Sequence, residues 1–199
     1  MASLTFSYAP MGGCKSLAAL VRHHHVGARG LNGLLIVMQP REKGVVTSRL
    51  GVSAPADEID DATDLWTMIS RAATEDGVRH VVADEAQFFT AAPIDQLARV
   101  ADELDVVVEA YGLLTDFRTR LFPASARLVE LADRLICLPT APLCACGVVA
   151  THNARLVDGV MVTDGDAVLV GDVTGDRVRY EPVCRACHAA VGAGQPVRA

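Results

Sequence analysis

Leu4-Thr-Phe-Ser-Tyr8 runs directly into Ala9-Pro10-Met11-Gly12-Gly13-Cys14-Lys15-Ser16, and a helical pattern then takes over across Lys15–Val26. An apolar strand, a glycine-bearing turn and an amphipathic helix, in that order, make the opening unit of an α/β fold built on a parallel sheet. Small residues in such a turn let backbone N–H groups wrap a phosphate, and the helix N-terminus adds the positive end of its dipole. Lys15 is placed to reach terminal phosphate oxygens, and Ser16 offers a hydroxyl for Mg²⁺. The full pattern G-x-x-x-x-G-K-[ST] is not met: Ala9 holds its first glycine position and Cys14 its last, with Gly12 and Gly13 inside. Taken alone, the stretch also reads as an ordinary strand-to-helix turn.

Further along, the same alternation continues. Leu34–Met38, Val78–Ala83 and Val106–Tyr111 are short and β-branched, as strands covered on both faces are, and Leu135–Leu138 is a fifth candidate. Helical patterns over Asp60–Ala73, Ile94–Leu104 and Ser125–Arg134 lie between them. Ligands of such folds sit at the carboxyl ends of the strands. The chain has 199 residues, 51% of them hydrophobic, which suits one principal core and excludes a disordered chain. No uncharged apolar run reaches the roughly 18 residues of a spanning helix, and no basic segment precedes an apolar one at the N-terminus. The expectation is a cytoplasmic protein without a membrane partner. A net charge of −6 argues against a nucleic-acid polymer and for small ligands. Of 18 basic residues only Lys15 and Lys43 are lysines.

After Pro139 the texture changes to turns, at Asp158-Gly159 and Asp164-Gly165, and β-rich runs, at Val160–Thr163 and Ala167–Val170. Six cysteines are present, and Cys144-Ala-Cys146 with Cys184-Arg-Ala-Cys187 form two tight pairs of the kind a tetrahedral thiolate zinc site takes. The first pair is one residue shorter than C-x-x-C, and His188 stands by as a substitute ligand. Cys137 reads as a buried strand residue, and His23-His24-His25 as an exposed helix face rather than a metal site. The expected organisation is an α/β domain over 1–139, a zinc-stapled β subdomain over 140–188 and a frayed tail over 189–199.

The strand Val78–Ala83 ends in Asp84-Glu85-Ala86-Gln87-Phe88. An acidic residue delivered beside a phosphate loop supplies the contact to Mg²⁺. Asp84 takes that part, while Glu85, pointing the other way along an extended chain, is free to act as general base on a second substrate.

Together these residues resemble the type II thymidine kinases, whose loop reads G-P-M-x-x-G-K-[ST] and whose acidic motif reads D-E-x-Q-F. The resemblance continues through Gly112-Leu113-Leu114-Thr115-Asp116-Phe117-Arg118, Leu121-Phe122-Pro123, the paired cysteines and Tyr180, four residues before Cys184. It spans about residues 4–188. It implies a P-loop NTPase-like sheet, mostly parallel and flanked by helices, whose zinc-bearing subdomain carries a lasso loop. The implied activity is transfer of the ATP γ-phosphoryl group to the 5′-hydroxyl of thymidine or deoxyuridine. ATP with Mg²⁺ falls to residues 9–16, Asp84 and Gln87, and Glu85 takes the 5′-hydroxyl proton. The nucleoside falls to Met11, Phe88, Leu113, Phe117, Phe122 and Tyr180, with the lasso residues Ala167, Val168, Leu169, Val170 and Gly171 reading the pyrimidine edge. Zinc becomes structural, and a homotetramer or homodimer is the expected assembly.

The chain departs from the family at Ala9 and at Cys14, where backbone must approach phosphate closely and a side chain calls for a strained dihedral. Leu17 replaces a frequent threonine, the lasso between Gly171 and Tyr180 is longer than usual, and no acidic loop residue can be placed near Gln39–Glu42. A non-catalytic nucleoside- or nucleotide-binding relative is therefore the competing reading. A zinc-ribbon interaction protein is a third, without support from a basic or aromatic stripe.

Overall fold

The structure, a computed structural model, describes residues 2–39, 42–167 and 177–192. Val168, Leu169, Val170 and Gly171 of the expected lasso, and residues 193–199 of the expected tail, lie outside the described residues. In chain order the elements are β1 (Leu4–Tyr8), α1 (Lys15–Ala28), β2 (Asn32–Met38), β3 (Val45–Thr47), β4 (Ser53–Pro55), β5 (Asp57–Ile59), α2 (Leu65–Glu75), β6 (Val78–Asp84), α3 (Ala91–Leu104), β7 (Val107–Gly112), α4 (Pro123–Leu131), β8 (Arg134–Cys137), β9 (His152–Val157), β10 (Val160–Val162), β11 (Val178–Val183) and α5 (Arg185–Gly192).

Six strands form one sheet in the order β5-β2-β6-β7-β1-β8, and every pairing in it is parallel. Side chains alternate across it, as the two-residue period of a strand requires. Ile36, Met38, Val81, Ala83, Val108 and Ala110 pack with α2, α3 and α4, while Leu35, Val37, Val82 and Tyr111 pack with Ala19 and Leu20 of α1 and Val46 of β3. Both faces are covered, which is why these strands read as continuous apolar runs.

The α1 face also holds charge. Glu109 of β7 is buried between Arg22 of α1 and His80 of β6, each 2.7 Å from its carboxylate. His24 and His25 are exposed as expected, but His23 turns inward, its Nδ1 buried without a partner. Burial, and then the nearby His80, hold its pKa below the usual histidine value.

Three expectations give way here. The helix expected from Asp60 begins at Leu65, because Asp60 and Asp64 spend their carboxylates on turns: Asp60 accepts from Ala62 N and Thr63 Oγ1, and Asp64 accepts from Thr67 N as the true N-cap. The helix expected through Arg134 stops at Leu131, since Arg134 opens β8. Cys137 is exposed, because β8 is the outer strand of the sheet; an apolar run cannot by itself distinguish an edge from a centre. Leu135 and Ile136 beside it are 47% and 40% exposed.

A second, antiparallel sheet of order β10-β9-β11 forms the smaller unit, with the Asp158-Gly159 turn joining β9 to β10 in left-handed backbone at both residues. Helix α5 runs on to Gly192, beyond residue 188. None of the described helices is long and apolar enough to cross a membrane.

Candidate functional site

At the carboxyl end of β1 the chain turns on Gly12, with φ 79°, and Gly13 N donates to Pro10 O at 3.1 Å. A Cβ on Gly13 would lie 2.4 Å from Ala9 Cβ and 3.0 Å from Pro10 O, so Ala9 closes the turn from beneath and Gly13 must stay bare. Cys14 caps α1 with φ 55° and ψ 27°, the left-handed region that favours glycine. The strained dihedral expected of a side chain there is present. Three contacts fix the loop from other elements: Lys15 Nζ donates to Pro10 O at 3.1 Å, Thr140 Oγ1 to Gly13 O at 2.8 Å, and Met11 N to Asn153 Oδ1 of β9 at 2.7 Å.

Two strand positions away from β1, β6 ends at Asp84. Its carboxyl is 2% exposed and hydrogen-bonded to the Ser16 hydroxyl. Burial, then the adjacent Glu85 carboxylate, push Asp84 up to about 6 against the pull of Ser16 and Lys15. Glu85 departs from strand geometry altogether: φ 53° and ψ 35° are left-handed, and a short 3₁₀ turn over Ala86–Phe88 follows. The two carboxylates diverge through this turn, not through strand alternation as the sequence suggests. Gln87, 2% exposed, fixes the result by donating from Nε2 to Glu85 Oε2 at 2.6 Å while its Oε1 accepts from Leu113 N at 2.9 Å. A Cβ on Gly112 would stand 2.8 Å from that Oε1, which explains the glycine.

A cavity of about 440 Å³ lies over these groups, lined by Met11, Gly12, Cys14, Lys15, Ser16, Glu85 and Gln87 together with Gln39 and Thr47 to Leu50. A second cavity of about 180 Å³ is lined by Met11, Phe88, Leu113, Phe117, Phe122, Asn153, Ala167 and Tyr180. Met11, Phe88, Leu113 and Tyr180 line both, so the two are contiguous. The smaller one is built by the loop after β7: Asp116 accepts from Arg118 N at 2.8 Å and Arg120 N at 3.0 Å and pairs with the Arg118 guanidinium, which turns Phe117 inward. Phe122 meets Phe88 edge to face at 6.4 Å.

Beyond the sequence reading lie Asn153 of β9 and the residues of the β3–β4 hairpin. Ser48 Oγ accepts from Val52 N at 3.1 Å and Ser48 O from Gly51 N, a compact turn that brings Arg49 to the larger cavity. Nothing in Thr47-Ser48-Arg49 marks it as a site; only the hairpin's position over the ends of β2 and β6 does. Thr47 also lines a recess of about 20 Å³ with Ser16, Asp84 and Glu85, and its Oγ1 is buried without a hydrogen-bond partner. Two hydroxyls, one of them the unpartnered Thr47 Oγ1, and a carboxyl group kept above its usual range by burial, set around so small a space, fit a hard divalent cation.

The four paired cysteines converge. All four sulfurs lie within 4.8 Å of one another, close to the ~3.8 Å edge of a ZnS₄ tetrahedron. The contracted first pair reaches the others because Gly147, with φ 83°, bends the turn so that Gly147 N donates to Cys144 O and Cys144 N to Val148 O. The Cys146, Cys184 and Cys144 sulfurs push the Cys187 thiol up to about 12, so four thiolates need a cation among them. The site thus fits structural zinc. His188 is not part of it; its Nε2 faces Phe117 O at 2.8 Å.

The family model described as thymidine kinase matches residues 2–188. A thymidine kinase of Streptomyces coelicolor is 48% identical over 192 residues, covering 94% of this chain and 89% of its own. One from Cutibacterium acnes is 47% identical over 191 residues, covering 94% and 88%. The thymidine kinase of Enterobacteria phage T4 is 38% identical over 189 residues, covering 93% and 94%.

Proposed function

The chain belongs to the thymidine kinase family, and on that footing we propose that it moves the γ-phosphoryl group of ATP, presented with Mg²⁺, to the 5′-hydroxyl of thymidine, yielding dTMP and ADP, with deoxyuridine as a second acceptor. The observation that carries this reading is the divergent pair at the end of β6. Asp84 turns to Ser16 beneath the phosphate loop, and Glu85 turns into the larger cavity beside the pocket of Phe88, Leu113 and Tyr180. One carboxylate is thereby reserved for a cation and the other for a proton.

In this reading the smaller cavity takes the nucleoside and the larger one the triphosphate. Loop N–H groups from Gly12 to Ser16 and the Lys15 ammonium neutralise the phosphates, and Arg49 adds a second cation from the hairpin. Ser16, Asp84 and Thr47 would hold Mg²⁺, which when bound would supply positive charge to offset that developing on the phosphates. Glu85 accepts the 5′-hydroxyl proton as the 5′-oxygen bonds to the γ-phosphorus and the bond to the β–γ bridging oxygen breaks, leaving ADP. Gln87 keeps Glu85 aimed. Zinc at Cys144, Cys146, Cys184 and Cys187 is structural, holding the unit over 140–188 that bears Asn153, Ala167 and Tyr180. The exposed apolar edge at Leu135 and Ile136 supports a homodimer or homotetramer.

The test is ATP-dependent phosphorylation of thymidine by the purified, zinc-containing protein, followed by product chromatography. Stoichiometric dTMP and ADP are expected, with Lys15→Ala at background. Thymidine binding without turnover above that background would leave the non-catalytic alternative standing instead.

The strained cap makes its own prediction. A non-glycine residue in left-handed backbone costs about 1 kcal/mol or more. Cys14→Gly should raise the melting midpoint by about 2–4 °C, since the strain is already present before any ligand binds. Calorimetry decides it, and an unchanged or lower midpoint would show that the cysteine costs the loop nothing.

A further inference from the structure

Arg155, on the central strand β9 of the small sheet, is 3% exposed, yet no carboxylate among the described residues pairs with it. A buried cation without an anion is held only if other partners replace its water. Here they do. The guanidinium carbon lies 3.7 Å from the Phe117 ring centroid and 5.2 Å from that of Tyr180; Nε donates to the Tyr180 hydroxyl oxygen at 2.8 Å, and Nη2 donates to Ala167 O at 3.1 Å. Phe117, Tyr180 and Ala167 all line the smaller cavity, and Arg155 itself does not.

The direction of the tyrosine bond matters. A guanidinium has no lone pair to offer, so Arg155 can only donate, and the Tyr180 oxygen can only accept. The phenol's own hydrogen then points elsewhere, and no acceptor for it is found among the described residues. Its oxygen already engaged by a cation, that O–H is the stronger donor. Arg118 works beside it: its Nη1 donates to Gly165 O at 2.8 Å, two residues before the carbonyl that Arg155 holds.

We propose that Arg155 is the positioning residue of the smaller cavity: it holds Phe117 and the backbone at Ala167 in place and fixes Tyr180 as a hydrogen-bond donor to an acceptor oxygen of the nucleoside. This rests on the reading of that cavity as the nucleoside pocket. None of these contacts falls on the loop over 9–16, and only Tyr180 among them also lines the larger cavity, so Arg155 sets affinity for the nucleoside far more than for the phosphate donor.

The experiment is a double-mutant cycle with Arg155→Met, Tyr180→Phe and the double variant, with Arg155→Lys alongside. Thymidine affinity is measured by calorimetry and compared with KM and kcat for both substrates. Arg155→Met is expected to weaken thymidine about tenfold to a hundredfold and Tyr180→Phe about tenfold, with the KM for ATP within about twofold. The two losses should not multiply in the double variant, since they break one shared bond. Arg155→Lys should recover only part, as one ammonium cannot both stack and bridge two acceptors. If Arg155→Met fails to fold, the same cycle run from Arg155→Lys decides. Losses that multiply, or a KM for ATP that rises with that for thymidine, overturn the proposal. Wild-type protein that binds no thymidine overturns the nucleoside reading itself, and with it this one, before any variant is compared.

Discussion

Glu85→Gln is expected to lower kcat for thymidine phosphorylation about a thousandfold while both KM values stay within about threefold, the span that general-base catalysis commands being roughly 10²–10⁴. The substitution keeps the shape of the side chain and can keep its contact, because Gln87 Nε2 donates to Glu85 Oε2 and would find an amide oxygen at the same place. What is lost is the capacity to accept a proton. The left-handed backbone at Glu85 and the bracing by Gln87 argue that the side chain is held for one direction of attack. Single-turnover measurements at saturating substrates check it. A kcat within tenfold of the parent would mean that the 5′-hydroxyl gives its proton elsewhere, and would move Glu85 to a supporting part.

Cys184→Ser is expected to release most of the zinc, lower the melting midpoint by about 10 °C and raise the KM for thymidine more than about tenfold. The reason lies in what the cluster fastens. Cys184 follows β11 directly, its sulfur accepts from Cys187 N, and it packs with Ala154 and Leu156 of β9 and Val183 of β11. Tyr180 and Arg155 sit on these two strands and face one another across the register. Metal analysis beside calorimetry and kinetics would separate the two parts of the prediction. Full zinc retention together with an unchanged KM would show the small sheet to be self-supporting.

The turn after β1, the acidic pair and the cysteine pairs were legible as candidate sites because each is contiguous, or nearly so, and is built of residue types with few other uses. The helices behind the sheet were legible through their apolar period. What escaped was decided by tertiary position. Strand β9, His-Asn-Ala-Arg-Leu-Val, hides a buried asparagine and a buried arginine, polar letters that erase an apolar pattern, and β11 carries Arg179, Glu181 and Pro182, which a strand pattern disfavours. Cys137, expected inside, is exposed, and His23, expected exposed, is half-buried, because burial at an edge strand or a helix flank depends on the neighbour across the gap. Glu85 was expected to diverge from Asp84 by the pleat of a strand, whereas a left-handed turn that no rule for glutamate anticipates does the work.

Asn153 gives the two units a common fate. This one buried amide accepts from Met11 N in the loop after β1 and also donates to Thr115 O, at 3.4 Å, in the loop that carries Phe117. The loop at the end of β1 is thus suspended between two sheets, one end of it hanging from a strand that the zinc site anchors. Truncating this one side chain would therefore take a hydrogen-bond partner from both loops at once, so the small sheet serves the large one as a clasp.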